Sequence, residues 1–245
     1  MGSPASAISV GLLAIALPAS ASARIIELGA TKTPIVAPTC PTTVKPTACT
    51  IVLTRVTGLE TISDGVKYPT TVTRAGRIVA FTLGLSRLSS NNSTARKDIH
   101  FLDFTYGGTT QAAITVLKPK GAARLHRWVV VADSPIVHLQ PYLGQVVQFP
   151  LDKSIPVKRG WVIALSVPTW AAVLAINLAP KQFAYRQSRS TKCSSPGSTE
   201  FVQLTIGANT RYGCNYTGTR VEYTVTEVTT PVPPKNQIHA GDSNR

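Results

Sequence analysis

The amino-acid sequence predicts an all-β fold, a sandwich or barrel of about ten short strands, from three observations. The 245 residues include 30 Thr and 24 Val, and both residue types pack well on the pleated, half-buried surface of a sheet. Only 15% of the residues are charged, which is too few for a long solvated helix or coiled coil. Short apolar runs alternate with Gly and Pro signals at regular spacing. The hydrophobic content of 43% argues against wholesale disorder.

The N-terminal segment, residues 1–23, is predicted to be a secretory signal peptide. An uncharged apolar run from Ala7 to Leu17 is broken by Pro18, and the small residues of 21–23 form a cleavage site. Residues 1–6 contain no Lys or Arg, which departs from the usual signal, and a buried N-terminal helix is the alternative. We therefore expect a secreted protein, extracellular or associated with the cell envelope, that keeps the whole net charge of +14.

Residues 24–49 form a Pro/Thr-rich stretch in which four prolines exclude a regular interior strand. This pattern predicts an extended N-terminal arm, an edge or a linker. A β-sandwich domain follows over residues 50–228, and residues 229–245 are polar and rich in Pro, which predicts a flexible, disordered tail.

Four cysteines in an exported chain predict two disulfides. Three pairings are possible, and we favour Cys40–Cys49 with Cys193–Cys214, because shorter loops cost less entropy to close. A zinc site is the alternative, but the chain has no C-x-x-C spacing.

The predicted strands follow the apolar runs between turn signals. The last of them alternates clearly between apolar and polar residues. The runs are Ile51–Thr57, Arg77–Leu85, Ile99–Tyr106, Ala112–Leu117, Arg127–Val131, Ile136–Gln140, Gln145–Phe149, Trp161–Val167, Phe201–Ile206 and Arg220–Val228.

The stretch Gly160–Pro180 has no charged residue and raises the alternative of a single-span surface protein with a membrane segment at 161–179. Pro168 interrupts the run, and a span after an N-terminal signal would place Cys193 and Cys214 on the reducing side of a membrane. Two buried strands, Trp161–Val167 and Ala172–Leu178, are therefore favoured over membrane insertion, with a helix in the second half left open.

Two stretches resemble uncharacterised secreted bacterial β-sandwich proteins of jelly-roll-like type. They are Phe149–Gly160, which leads into the Trp161 strand, and Tyr212–Tyr216 before the last strand. This resemblance covers under a third of the chain. It implies a single antiparallel β-sandwich and a secreted location, and it implies no activity.

Catalytic chemistry finds little support in the sequence. Asp98, His100 and Asp103 are the tightest acid and histidine group, and on a flat strand Asp103 would face away from the other two. A secreted hydrolase with a site assembled near His100 is the alternative function. No nucleophile elbow, zinc-protease motif or phosphate-binding loop is present. The sequence favours a protein that is not an enzyme and predicts no cofactor, metal or catalytic residue.

Clustered positive charge is the remaining functional signal. The charges form three groups: Lys118, Lys120, Arg124 and Arg127, with His126 among them; Lys153, Lys158 and Arg159; and Lys181, Arg186, Arg189 and Lys192. We predict a non-enzymatic protein that binds an anionic polymer or decorates a cell-envelope surface through basic loops. Nucleic acid is disfavoured as the partner, because aromatic residues are not interleaved with the basic ones. The predicted anion-binding residues are Lys118, Lys120, Arg124, Arg127, Lys158 and Arg159.

Overall fold

The computed structural model describes residues 22–45, 49–191, 193 and 201–231, and Arg24–Thr230 form one compact unit. Almost all of the predicted signal peptide, and the predicted tail beyond Pro231, lie outside the described residues. Thr229, which the sequence assigns to that tail, is the last residue of a strand.

The described residues contain fifteen strands and one α-helix, joined by turns and two short 3-10 helices. In chain order they are β1 Ile25–Leu28, β2 Leu53–Ser63, β3 Val66–Lys67, β4 Gly76–Gly84, α1 Asn92–Tyr106, β5 Gln111–Pro119, a 3-10 helix Ala123–Leu125, β6 Arg127–Asp133, β7 Val137–His138, a 3-10 helix Gln140–Tyr142, β8 Val146–Val157, β9 Val162–Ala171, β10 Leu174–Ala175, β11 Ala184–Gln187, β12 Asn209–Arg211, β13 Cys214–Thr217, β14 Arg220–Val221 and β15 Tyr223–Thr229.

Two antiparallel sheets dominate the fold. The smaller has the strand order β1-β15-β4-β8, and the larger runs β12-β6-β5-β9-β2-β11-β13. The short strands β3 and β7 pair with β2 and β5, and β10 pairs with β14. These pairings confirm the predicted all-β, antiparallel, sandwich-like fold.

The main hydrophobic core is made by one face of each sheet. Phe81 of β4 and Val225 of β15 belong to the same buried cluster as Ile163 and Leu165 of β9. The intervening Ala164 belongs to a second cluster, because successive side chains of a strand point to opposite faces. The larger sheet therefore buries apolar side chains on both faces.

The uncharged stretch Gly160–Pro180 forms the centre of the larger sheet. Strand β9 lies between β5 and β2, which confirms the first of the two buried strands predicted there. The second, Ala172–Leu178, is a strand only at Leu174–Ala175. Among the residues that the structure describes, no helix is long and apolar enough to cross a membrane.

The strand predicted at Ile99–Tyr106 is wrong, because these residues lie in helix α1. The Asn91 side chain accepts a hydrogen bond from the Thr94 backbone N–H at 3.0 Å and caps the first turn. Gly107, with φ of 82°, ends the helix in the left-handed conformation. Leu102 packs against Trp170 of β9, and this contact fixes the helix on the outer face of the larger sheet.

The strand predicted at Phe201–Ile206 is also wrong. The segment crosses the outer face of the larger sheet, where the backbone N–H of Gln203 donates to the Thr57 hydroxyl at 2.8 Å. The hydroxyls of Thr115 and Ser166 donate to the Gln203 carbonyl at 3.1 and 3.3 Å. The buried hydroxyls on β2, β5 and β9 thus bind the backbone of the segment, whose pairing with a strand is limited to an isolated bridge between Phe201 and Val56.

Both disulfides have the local pairing that loop entropy favours. Cys40 is bonded to Cys49, and Cys193 is bonded to Cys214, with separations of 9 and 21 residues. The structure thereby confirms two disulfides, and the described residues contain no free cysteine.

A buried charge cluster fastens the N-terminal segment to the C-terminal strands. Arg220 is 1% exposed, and its Nη1 donates to the carbonyls of Thr33 and Pro34 at 2.9 and 3.2 Å. Its Nε lies 3.8 Å from Glu60 and 3.9 Å from Glu222, both of which are buried. The second carboxylate oxygen of Glu222 accepts the Val36 backbone N–H at 3.2 Å. Desolvation raises the pKa of Glu222 to about 6, and it raises the pKa of Glu60 well above the usual range.

Candidate anion-binding cleft

The strand order brings the two predicted basic loops to the same end of the larger sheet. Strand β5 pairs with β9 through Leu117 and Val162, and with β6 through Pro119 and Trp128. The loop between β5 and β6 and the turn between β8 and β9 therefore emerge side by side. The backbone of Val72 exchanges hydrogen bonds with this turn, donating to the Trp161 carbonyl at 2.8 Å and accepting from the Gly160 N–H at 2.9 Å. These bonds bring the segment that follows Tyr68 to the same edge.

A cleft of about 200 Å³ lies between these segments. This volume is smaller than the range of about 300–1,000 Å³ typical of pockets for drug-sized ligands, and it suits one ring or one headgroup. The wall combines aromatic side chains with the backbone of small residues. The lining residues are Tyr68, Thr71, Pro119, Gly121, Ala122, Ala123, His126, Arg127, Trp128, Gly160 and Val162.

Trp128 forms the aromatic centre of the cleft. Its ring centroid lies 6.3 Å from that of Tyr68 and 6.2 Å from that of His126. The ring planes of Trp128 and His126 differ by 19°. Beneath it, Tyr212 makes an edge contact at 5.1 Å. Trp128 is only 6% exposed, so its position is fixed by packing rather than by a ligand.

His126 is held in place by its backbone, and its surroundings disfavour the charged imidazolium. It adopts a left-handed conformation with φ of 48°, and its carbonyl accepts the Tyr212 N–H at 2.8 Å. Burial lowers its pKa, and the nearby Arg186 and Arg211 lower it further. Within the described residues, its buried Nδ1 atom has no hydrogen-bond partner.

All six predicted anion-binding residues are exposed and flank this cleft in the chain. Four lie on the β5–β6 side, from the end of β5 to the start of β6, and two lie in the turn before β9. Arg127 lines the cleft itself, and Lys158 Nζ lies 5.9 Å from the ring centre of Trp161. Among the described lining residues there is no Asp or Glu. The six are Lys118, Lys120, Arg124, Arg127, Lys158 and Arg159.

The third basic group of the sequence does not form an exposed basic loop. Arg186 of β11 donates to the carbonyls of Tyr212 and Gly213 at 3.2 and 3.1 Å, and Arg189 is 4% exposed. Lys181 is exposed, whereas Lys192 lies outside the described residues. Arg186 and Arg189 therefore act inside the fold.

The group around His100 is not assembled as a site. Helix α1 leaves His100 exposed and gives Asp103 a structural role, in which it accepts the Trp170 indole N–H at 2.9 Å. Asp98 lies two residues from His100, and residues at that spacing do not face each other on a helix. Among the described residues, no group of three or more His, Cys, Asp or Glu is placed to hold a metal ion.

A larger cavity of about 410 Å³ lies by the second disulfide. It is lined by Tyr185, Gln187, Arg189, Cys193 and Tyr216, together with residues of β2 and β10. The rings of Tyr185 and Tyr216 stack at 5.0 Å. None of the six predicted anion-binding residues lines this cavity, so it is separate from the cleft.

Of the six predicted anion-binding residues, Arg127 lines the cleft and the other five flank it in the chain, whereas the aromatic wall is not predicted. Tyr68 and Trp128 are far apart in the chain and meet only through the pairing of β5, β6 and β9. The local sequence signals of this wall are the Trp beside the basic loop and the Gly at each turn.

Comparisons of the chain with protein-family models, with curated proteins and with solved structures find no match.

Proposed function

We propose that this is a secreted, non-enzymatic protein that binds an anionic component of the extracellular space or cell envelope at the cleft. The observation that carries the proposal is the convergence of two basic loops on one aromatic-lined cleft whose lining contains Arg127 but no carboxylate. The two disulfides, and the finding that no described helix could cross a membrane, are compatible with secretion.

The lining places the apolar contacts of the ligand inside the cleft and its charge contacts around the rim. A ring of the ligand packs on Tyr68 and on the small part of Trp128 that stays exposed, where apolar contacts need no charge. Its phosphate, sulfate or carboxylate groups reach the exposed cations around the rim, and these contacts weaken as salt screens them. An anionic polymer would place one unit in the cleft and neighbouring units along the two loops.

Binding to immobilised acidic polysaccharide and to isolated cell envelope, measured across a salt series, tests the proposal. The variant Lys120→Gln/Arg124→Gln removes two rim charges, and at about 1 kcal/mol for each cation we expect affinity to fall roughly tenfold or more. The matched control Lys32→Gln/Lys181→Gln removes two exposed charges that belong to neither of the two basic loops beside the cleft. It should retain most of the affinity.

Equal losses in the two double variants would show that net charge alone is responsible and would contradict a specific cleft. Absence of binding at every salt concentration would refute the proposal altogether. A Tyr68→Ala variant tests the aromatic wall, since it should weaken binding even at high salt. The alternative hydrolase is tested by His100→Ala on a panel of glycans and esters, where loss of a measurable activity would favour it.

A further inference from the structure

Helix α1 has two faces of opposite character. Its inner face packs on the larger sheet, where Leu102 and Ile99 contact the cluster of Trp170 and Ala172. Asp103 on this side is bonded to the Trp170 indole. The helix is therefore held firmly from one side.

The outer face carries two phenylalanines in solvent. Phe101 is 62% exposed and Phe104 is 86% exposed, and residues three apart lie next to each other on a helix. Large aromatic side chains of this kind are normally buried. Single exposed apolar residues are common on protein surfaces, whereas a neighbouring pair of exposed aromatic rings indicates a contact surface.

The ionisable residues on the outer face are all of the basic type. Arg96, Lys97 and His100 are exposed, and at about 100° per residue they lie on the same half of the helix as Phe104. The carboxylates of the helix, Asp98 and Asp103, are half-buried and lie on the opposite half. The outer face thus combines apolar rings with cations and has no carboxylate of the helix itself.

We propose that the outer face of helix α1 docks on the surface of an anionic lipid bilayer. Phe101 and Phe104 enter the boundary between headgroups and acyl chains, while Arg96 and Lys97 contact lipid phosphates. Aromatic side chains on one side with Lys and Arg beside them are the composition of helices that lie in a membrane interface. This surface is distinct from the cleft, none of whose lining residues belongs to α1, and the proposal does not rest on the proposed function.

Charge complementarity favours lipid over a second copy of the chain. A symmetric contact between two copies would bring the two sets of Arg96 and Lys97 together, and like charges facing each other across an interface oppose association. An anionic bilayer offers the opposite charge together with an apolar layer for the two rings.

Co-sedimentation of the full chain with phosphatidylcholine vesicles, with and without one quarter phosphatidylglycerol, tests the docking. We expect binding to the anionic vesicles alone. Phe101→Ser/Phe104→Ser should lower the partition coefficient at least tenfold, and Arg96→Gln/Lys97→Gln should lower it and reduce its salt dependence. The control Ile25→Ser/Ile206→Ser removes two other exposed apolar side chains and should leave the coefficient within twofold.

Several outcomes would overturn the proposal. Binding that the phenylalanine variant leaves unchanged would exclude α1 as the contact. Binding lost only in the cleft variant Lys120→Gln/Arg124→Gln would assign the lipid headgroup to the cleft instead. A dimer in light scattering that disappears in the phenylalanine variant would show that a second copy covers the face. Circular dichroism of each variant checks that the fold is intact.

Discussion

Replacing Glu222 by Gln is expected to reduce the pH dependence of stability. In the folded protein, burial raises the pKa of Glu222 from 4.5 to about 6. The folded state therefore holds the proton more tightly than the unfolded state does. The resulting stabilisation is fully present below about pH 4.5 and is lost as the pH rises through about 6. Its size follows from the pKa shift and is about 2 kcal/mol.

Urea unfolding followed by tryptophan fluorescence between pH 4 and pH 8 measures this effect. We expect the free energy of unfolding of Glu222→Gln to fall by about 2 kcal/mol less than that of the wild type over this interval. The amide oxygen of the introduced glutamine can still accept the Val36 N–H bond, so the contact itself survives. Removing the negative charge also takes away one cause of the raised pKa of Glu60. This second effect further reduces the pH dependence of the free energy of unfolding.

The control is Asp152→Asn, which makes the same change of charge at an exposed position of β8. Its pH profile should follow that of the wild type. Parallel profiles for wild type and Glu222→Gln would refute the reasoning, because they would mean that the carboxyl of Glu222 has the same proton affinity in the folded and unfolded states.

Three further substitutions test the packing. Gly84→Ala places a Cβ atom well inside contact distance of the Val36 carbonyl oxygen, and the displaced segment should cost about 2 kcal/mol in urea unfolding. The pair Cys193→Ser/Cys214→Ser opens a loop closed over a separation of 21 residues, and we expect a loss of about 3 kcal/mol under non-reducing conditions. Trp170→Phe removes the indole bond to helix α1 and should cost about 1 kcal/mol, with faster hydrogen exchange in the helix as the specific readout.

The alternating strands could be predicted from the sequence because their side chains face two different environments. In β15, Tyr223 and Val225 join the main core, as the alternation indicates. Strand β8 is longer than predicted because Pro150 and Pro156, which usually interrupt pairing, lie in an edge strand of the smaller sheet. An edge strand tolerates a residue without an N–H group.

The sequence contains the signals of helix α1, although its apolar run predicts a strand at Ile99–Tyr106. Ala95, Ile99, Leu102 and Tyr106 have helical spacing, and Asn91 stands at the N-cap. The aromatic and β-branched residues of this stretch favour a strand by propensity, whereas packing on Trp170 decides for the helix in the structure. The basic loops beside the cleft can be predicted because their cations are local in sequence, whereas the aromatic wall is formed by tertiary contacts between distant residues.

The pairing of β1 with β15 has a consequence for the order of folding. Ile25 lies opposite Val228, and Arg220 binds the carbonyls of Thr33 and Pro34. The smaller sheet and the buried charge cluster cannot be completed until the last strand of the unit has been synthesised. Contacts between such distant residues slow folding, because the loop between them must close first. A growing chain that lacks β14 and β15 therefore leaves β1 and β4 without the strand that lies between them, and it lacks Arg220 of the charge cluster.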